Sequence, residues 1–159
     1  MAFAIIVSLY VSIGLMAAAG SVYLSQRFLP TRFESLLFGL FLIPIAGFYL
    51  AFTAYFAEAS AWRLEAAAVA VFAVLGALGT RIPAALIAGY LLHGVWDFLH
   101  ELHTHAGTDV FGGAASTQIP LAYGVFCATY DVCMAAYFHS RRGKWRAART
   151  GSSGGRGNP

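Results

Sequence analysis

SLLFGLFLIPIAGFYLAFTAYF, residues 35–56, is an uncharged apolar run with Glu34 before it and Glu58 just beyond it. A bilayer's hydrocarbon core is about 30 Å thick, and an α-helix needs about 20 apolar residues to cross it. The run reaches that length with no acid or base to desolvate, so it reads as a membrane-spanning helix. Pro44 inside it is expected to kink the helix and free a carbonyl.

Outward from this run, the same criterion finds further spans at 4–23, 64–80, 84–103 and 119–138. Of the 159 residues, 59% are hydrophobic and 11% charged, which leaves too few polar side chains to coat a water-soluble globule. The expected fold class is all-α: one polytopic transmembrane helical bundle over 1–138, followed by a basic cytoplasmic tail at 139–159 that is expected to be disordered. The 64–80 segment is the weakest of the five, being short, alanine-rich and headed by Glu65; without it the bundle has four spans.

Basic loop residues are retained on the cytoplasmic side. With five spans and the C-terminus inside, Arg27, Arg32, Arg81, Arg141, Arg142, Lys144, Arg146, Arg149 and Arg156 all lie inside and only Arg63 outside. The four-span alternative moves Arg27 and Arg32 outside. In both, the loop at 104–118, which has no Lys or Arg, is external. The expected location is therefore the inner (plasma) membrane, multi-pass, with the N-terminus outside. Residues 1–20, ending in Ala17, Ala18 and Ala19, imitate a secretory signal, but no basic n-region precedes Arg27, which favours a retained span.

Short first loops predict that consecutive helices are antiparallel neighbours. Small residues at four-residue spacing (Ala84 with Ala88, Ala85 with Gly89, Ala73 with Ala77) suit close helix packing within the chain, and a homo-oligomer is the sharper reading of the same pairs. Pro83 and Pro120 are expected in the first turns of their helices. Cys127 and Cys133 lie on different faces of the last span and cannot pair; both read as packing residues.

The chemistry concentrates in LHGVWDFLHELHTH, residues 92–105. Asp97 at a bilayer centre costs about 2.5–3.5 kcal/mol on insertion scales, so its retention marks a site. His93, Asp97 and His100 fall within about 60° of arc on an ideal helix, with Glu101 at one edge and His103 farther round. That stripe must face the bundle interior, a cavity or a partner. His93 and His100 are two turns, about 10 Å, apart, so one ion cannot take both.

Two sites are thereby expected. The deep one uses His93 and Asp97, completed by Asp131, whose depth of about 18 Å on the last span matches the depth of about 15 Å for His93. The shallow one uses His100, His103 and Glu101. Cys127, one turn from Asp131, is a soft-ligand candidate. HELHTH lacks the i,i+4 histidine spacing of zinc proteases, and the separated His boxes of membrane di-iron enzymes are absent. The 104–118 loop either caps the site or is a flexible link. The basic tail reads as a topology signal and lipid anchor, not as a nucleic-acid surface.

HGVWDFLH at 93–100, with IPLAYGVFCATYDV at 119–132 in the next helix, resembles a family of small bacterial integral membrane proteins of unknown function that carry a His-x-x-Trp-Asp-x-x-His helix. The resemblance covers about the C-terminal half and implies His93, Trp96, Asp97, His100 and Asp131 as signature positions. It carries no activity with it. Glu101 stands where the pattern implies another histidine.

Three functions fit these residues. The first is a membrane enzyme with a transition metal (Zn or Fe) on His93, Asp97 and Asp131, with His100 and His103 as shallow ligands or proton carriers. Its site would open to the outer face toward a lipid or other small apolar substrate. The second is a proton- or ion-coupled transporter, against which stands the lack of matching ionisable residues in the cytoplasmic half. The third is a scaffold or partner-binding subunit in which the polar cluster fixes helix register.

Overall fold

A computed structural model describes residues 2–151. Among them the chain forms α1 (Ala2–Phe28), α2 (Thr31–Tyr55), one 3₁₀ turn at Ala59–Ala61, α3 (Trp62–Gly79), α4 (Pro83–Ala106) and α5 (Tyr123–Gly151), with no strand. The segments Phe3–Phe28, Thr31–Tyr55 and Ala59–Gly79 are long and apolar enough to cross a membrane. The weakest sequence-predicted span is thus a full helix of that kind, whereas α4 and α5 carry the ionisable stripe and the basic residues.

Local chemistry sets the boundaries. Pro83 occupies the first turn of α4, where its missing N–H has no intrahelical partner to lose. Gly107, at φ 67°, closes the other end in the left-handed conformation that glycine adopts freely. α2 continues through Pro44 as one helix. Pro120 lies ahead of α5, because the helix starts only at Tyr123.

Polarity is distributed inside-out relative to a water-soluble bundle. Ile5, Leu9, Met16, Leu40, Val74, Leu92, Val95 and Val132 are exposed, while Glu34, Glu65, His93, Asp97, His100, Glu101 and Asp131 are buried. Such a surface suits lipid, and such an interior requires that every polar group find a partner.

The most extensive helix pairs are α4 with α5 and α2 with α3. Two glycines bring the second pair into backbone contact: a Cβ on Gly39 would lie 2.6 Å from the Gly76 carbonyl oxygen. Any larger residue there must part the helices. α1 departs from the expected neighbour order. Its connection to α2 is only Leu29–Pro30, yet it packs along α5.

The tail also departs from expectation. Residues 139–151 continue α5 as helix, and Trp145 is 1% exposed. Glu34 is the cause: its buried carboxylate accepts from Tyr137 Oη at 3.2 Å, Arg141 Nε at 3.0 Å and Trp145 Nε1 at 2.8 Å. A buried acid with three donors along one helix face draws that helix onward. The remainder of the expected disordered segment, 152–159, lies outside the described residues.

Candidate metal centre

α4 places His93 and Asp97 one turn apart on its buried face, and α5 brings Asp131 to the same level. His93 Nδ1 lies 2.7 Å from Asp131 Oδ2 and 2.9 Å from Asp97 Oδ2. Tyr49, from α2, donates its hydroxyl to Asp97 Oδ1 at 2.5 Å. None of the four is more than 1% exposed. Small residues permit the approach, since a Cβ on Gly94 would already press on the Asp131 Cβ at 3.2 Å, and one on Gly124 would run into the backbone of Asp97.

One imidazole therefore faces two carboxylates in a low-dielectric interior. A protonated His93 balances one of them, and a second positive charge, a proton or a metal ion, is needed for neutrality. One ligand atom is left over: His93 Nε2 makes no hydrogen bond, while Asp97 Oδ2 has only the 2.9 Å contact with His93 Nδ1. Among the described residues, His93, Asp97 and Asp131 can each offer a ligand atom, all within 4.8 Å of one another. Nitrogen with carboxylate oxygens suits Zn or Fe(II) and leaves coordination positions for water or substrate.

His100 and His103, expected as a shallow ligand pair, both pack on the Phe111 ring, but their nitrogens are engaged by other partners. His100 Nε2 meets Glu65 Oε1 at 3.0 Å, and its Nδ1 donates to the Trp96 carbonyl at 3.0 Å. With Nδ1 already a donor, the bond to Glu65 holds one further proton shared between imidazole and carboxylate. His103 Nδ1 donates to the Thr108 carbonyl and His105 Nε2 to that of Ile119, so both tie down the loop. Glu101 accepts the backbone N–H groups of Ala122 and Gly124, at 2.9 and 3.0 Å, and serves the start of α5.

The 107–122 connection is a cap. Thr117 N–H donates to Glu65, Gln118 N–H to Glu58, and the Phe111 ring stacks 4.7 Å from that of His100. The sequence reading has the deep site opening toward this end. The loop packs over this end, leaving a polar cavity of about 360 Å³ beside Glu58, His103 and Gln118, and another cavity of about 360 Å³ lies beside the deep site, between α1, α2 and α5. Its lining includes His93, Asp131, Cys127, Tyr130, Ile45 and Ala17.

Sequence reasoning passed over Tyr49, Glu65 and Glu34. Glu65 and Glu34 stand at the edges of apolar runs, unlike Asp97 inside one, and both read as flanking charges. Tyr49 carried no signal, because aromatics are ordinary in spans. No protein-family model matches the chain, and no curated protein or solved structure is similar to it.

Proposed function

We infer that the protein is a multi-pass inner-membrane enzyme that holds a transition metal on His93, Asp97 and Asp131 and acts on an apolar substrate within the bilayer. The observation that carries this is the excess of ligand charge: two carboxylates and one imidazole, all buried, converge within 4.8 Å. A divalent ion would make the group neutral, with the unpartnered His93 Nε2 as an available nitrogen. Bound there, it would polarise a substrate oxygen or activate water. Tyr49 orients Asp97 from behind, the usual part of an outer hydrogen bond to a ligating carboxylate.

All five helices cross in this reading, with the N-terminus outside and the C-terminus cytoplasmic. Supporting it, the α1–α2 and α3–α4 connections and the C-terminal part of α5 share one end of an antiparallel bundle and carry Arg27, Arg32, Arg81, Arg141, Arg142 and Lys144. The resemblance to small bacterial membrane proteins agrees with this placement and adds no activity.

A transporter reading gains Glu34 and Arg141 as ionisable groups in the cytoplasmic half. Between them and Asp131, however, stand Phe38, Tyr90, Met134 and Phe138, all buried. In that layer the one polar side-chain group is the Tyr90 hydroxyl, which donates to the Phe38 carbonyl at 3.1 Å, so these four residues offer no carboxylate or imidazole to relay a proton.

X-ray absorption on zinc- or iron-loaded protein tests the assignment. A shell of nitrogen and oxygen only, at about 2.0–2.2 Å, supports it. A sulfur contribution at about 2.3 Å would move the site to Cys127 and overturn the ligand set.

A further inference from the structure

The cavity beside His93 does not end at the site. It meets a second cavity of about 410 Å³, lined by Leu24, Phe28, Leu37 and Phe38, and the two share Ser21, Phe41 and Tyr130. Together they form a slot between α1 and α2. The slot exists because α1 packs on α5 and not on the helix that follows it.

Its dimensions and chemistry suit one occupant. The α2 wall runs from Leu37 to Phe48 and the α1 wall from Ala17 to Phe28, each about 16 Å at the helical rise. That is half of a hydrocarbon core of about 30 Å, the depth of one leaflet. Apart from Ser21 and Ser25 on α1, the two walls are apolar along that length. Arg27, next to the slot-lining Phe28, and Arg32 stand on either side of the α1–α2 connection, where each would attract an anionic headgroup by about 1 kcal/mol. At the inner end, His93 is 1% exposed and keeps Nε2 unpartnered.

We propose that the slot between α1 and α2 takes one hydrocarbon chain of an anionic membrane lipid from the cytoplasmic leaflet, with its phosphate at Arg27 and Arg32 and its far end against His93 and Asp131. The substrate is thus a lipid chain that arrives sideways, not a molecule descending through the loop-covered end. This rests on the metal-centre reading only for the chemistry at the end of the chain; occupancy of the slot is a separate matter.

The test uses the full chain in phosphatidylethanolamine and phosphatidylglycerol vesicles doped with a phosphatidylglycerol carrying a terminal diazirine on one acyl chain. After illumination, peptides are mapped for label and the same sample is analysed for metal. Label on the Ile45, Cys127 and Tyr130 segments supports the proposal. Ile45→Trp and Ala17→Phe, which fill the slot, should each lower that label about tenfold, the factor that an overpacking cost of about 1.4 kcal/mol produces. They should leave label at Leu92, Val95 and Leu99, on the far side of the bundle, unchanged. Wild-type label confined to outward faces overturns the proposal even if both variants misfold. A labelled slot in protein without metal overturns the metal centre alone, and metal with an unlabelled slot overturns the lipid proposal alone.

Discussion

His93 Nδ1 and Asp131 Oδ2 stand 2.7 Å apart across the α4–α5 contact, fully withdrawn from solvent. With Asp97 Oδ2 at 2.9 Å from the same nitrogen, the pair is one acid too many for one imidazole. Metal-free protein must take up a proton there, and metal binding must displace it.

Asp131→Asn removes the surplus acid. Metal-free stability should hold or rise, whereas stabilisation by added zinc should vanish. In the wild type, that stabilisation amounts to about 2.7 kcal/mol when free zinc is a hundredfold above Kd. Thermal unfolding of both proteins with and without zinc measures it. Equal zinc responses would remove Asp131 from the ligand set.

Tyr49→Phe keeps the ring and deletes the donor to Asp97. Metal affinity should fall about 10- to 100-fold with the fold retained, the usual effect of losing an outer hydrogen bond to a ligand. Competition against a chelating dye reads the change.

Glu34 and Arg141 pin the C-terminal part of α5 to α2. Arg141→Met strands a buried carboxylate and should cost about 3 kcal/mol, the lower end for such pairs because the Arg141 side chain keeps 13% exposure. The double variant Glu34→Leu with Arg141→Met should recover at least half. A double-mutant cycle by detergent-titrated unfolding shows whether the two are coupled.

Glu101→Gln leaves one acceptor oxygen for the Ala122 and Gly124 N–H groups. The loss should cost about 1–3 kcal/mol. It should also speed hydrogen exchange across 107–122, where Ala122 is held at φ 60°. Metal content should not change, which separates this carboxylate from the three proposed ligands.

Much of the fold was legible because a membrane imposes a coarse rule: uncharged runs of sufficient length become helices. The deep site was legible for the converse reason, since Asp97 and Asp131 stand out against hydrocarbon and helical rise equates their depths. Lateral arrangement was not. A two-residue link permits α1 to pack on α2, yet Gly14 lets it reach α5, where a Cβ would lie 2.8 Å from the Phe126 carbonyl oxygen. For His100 and His103, angle and rise say which face a residue occupies but not what partner waits opposite. Glu65 claimed the first and a loop carbonyl the second. The tail misled similarly, as its order depends on Glu34 more than a hundred residues earlier.

The most direct measurement is elemental analysis of detergent-purified full-length protein beside Asp97→Asn and Asp131→Asn. The account predicts close to one zinc or iron per wild-type chain and a loss of most of it in each variant, with helical content unchanged. Folded wild-type protein that carries no metal and takes up none on dialysis against zinc or ferrous iron would contradict it.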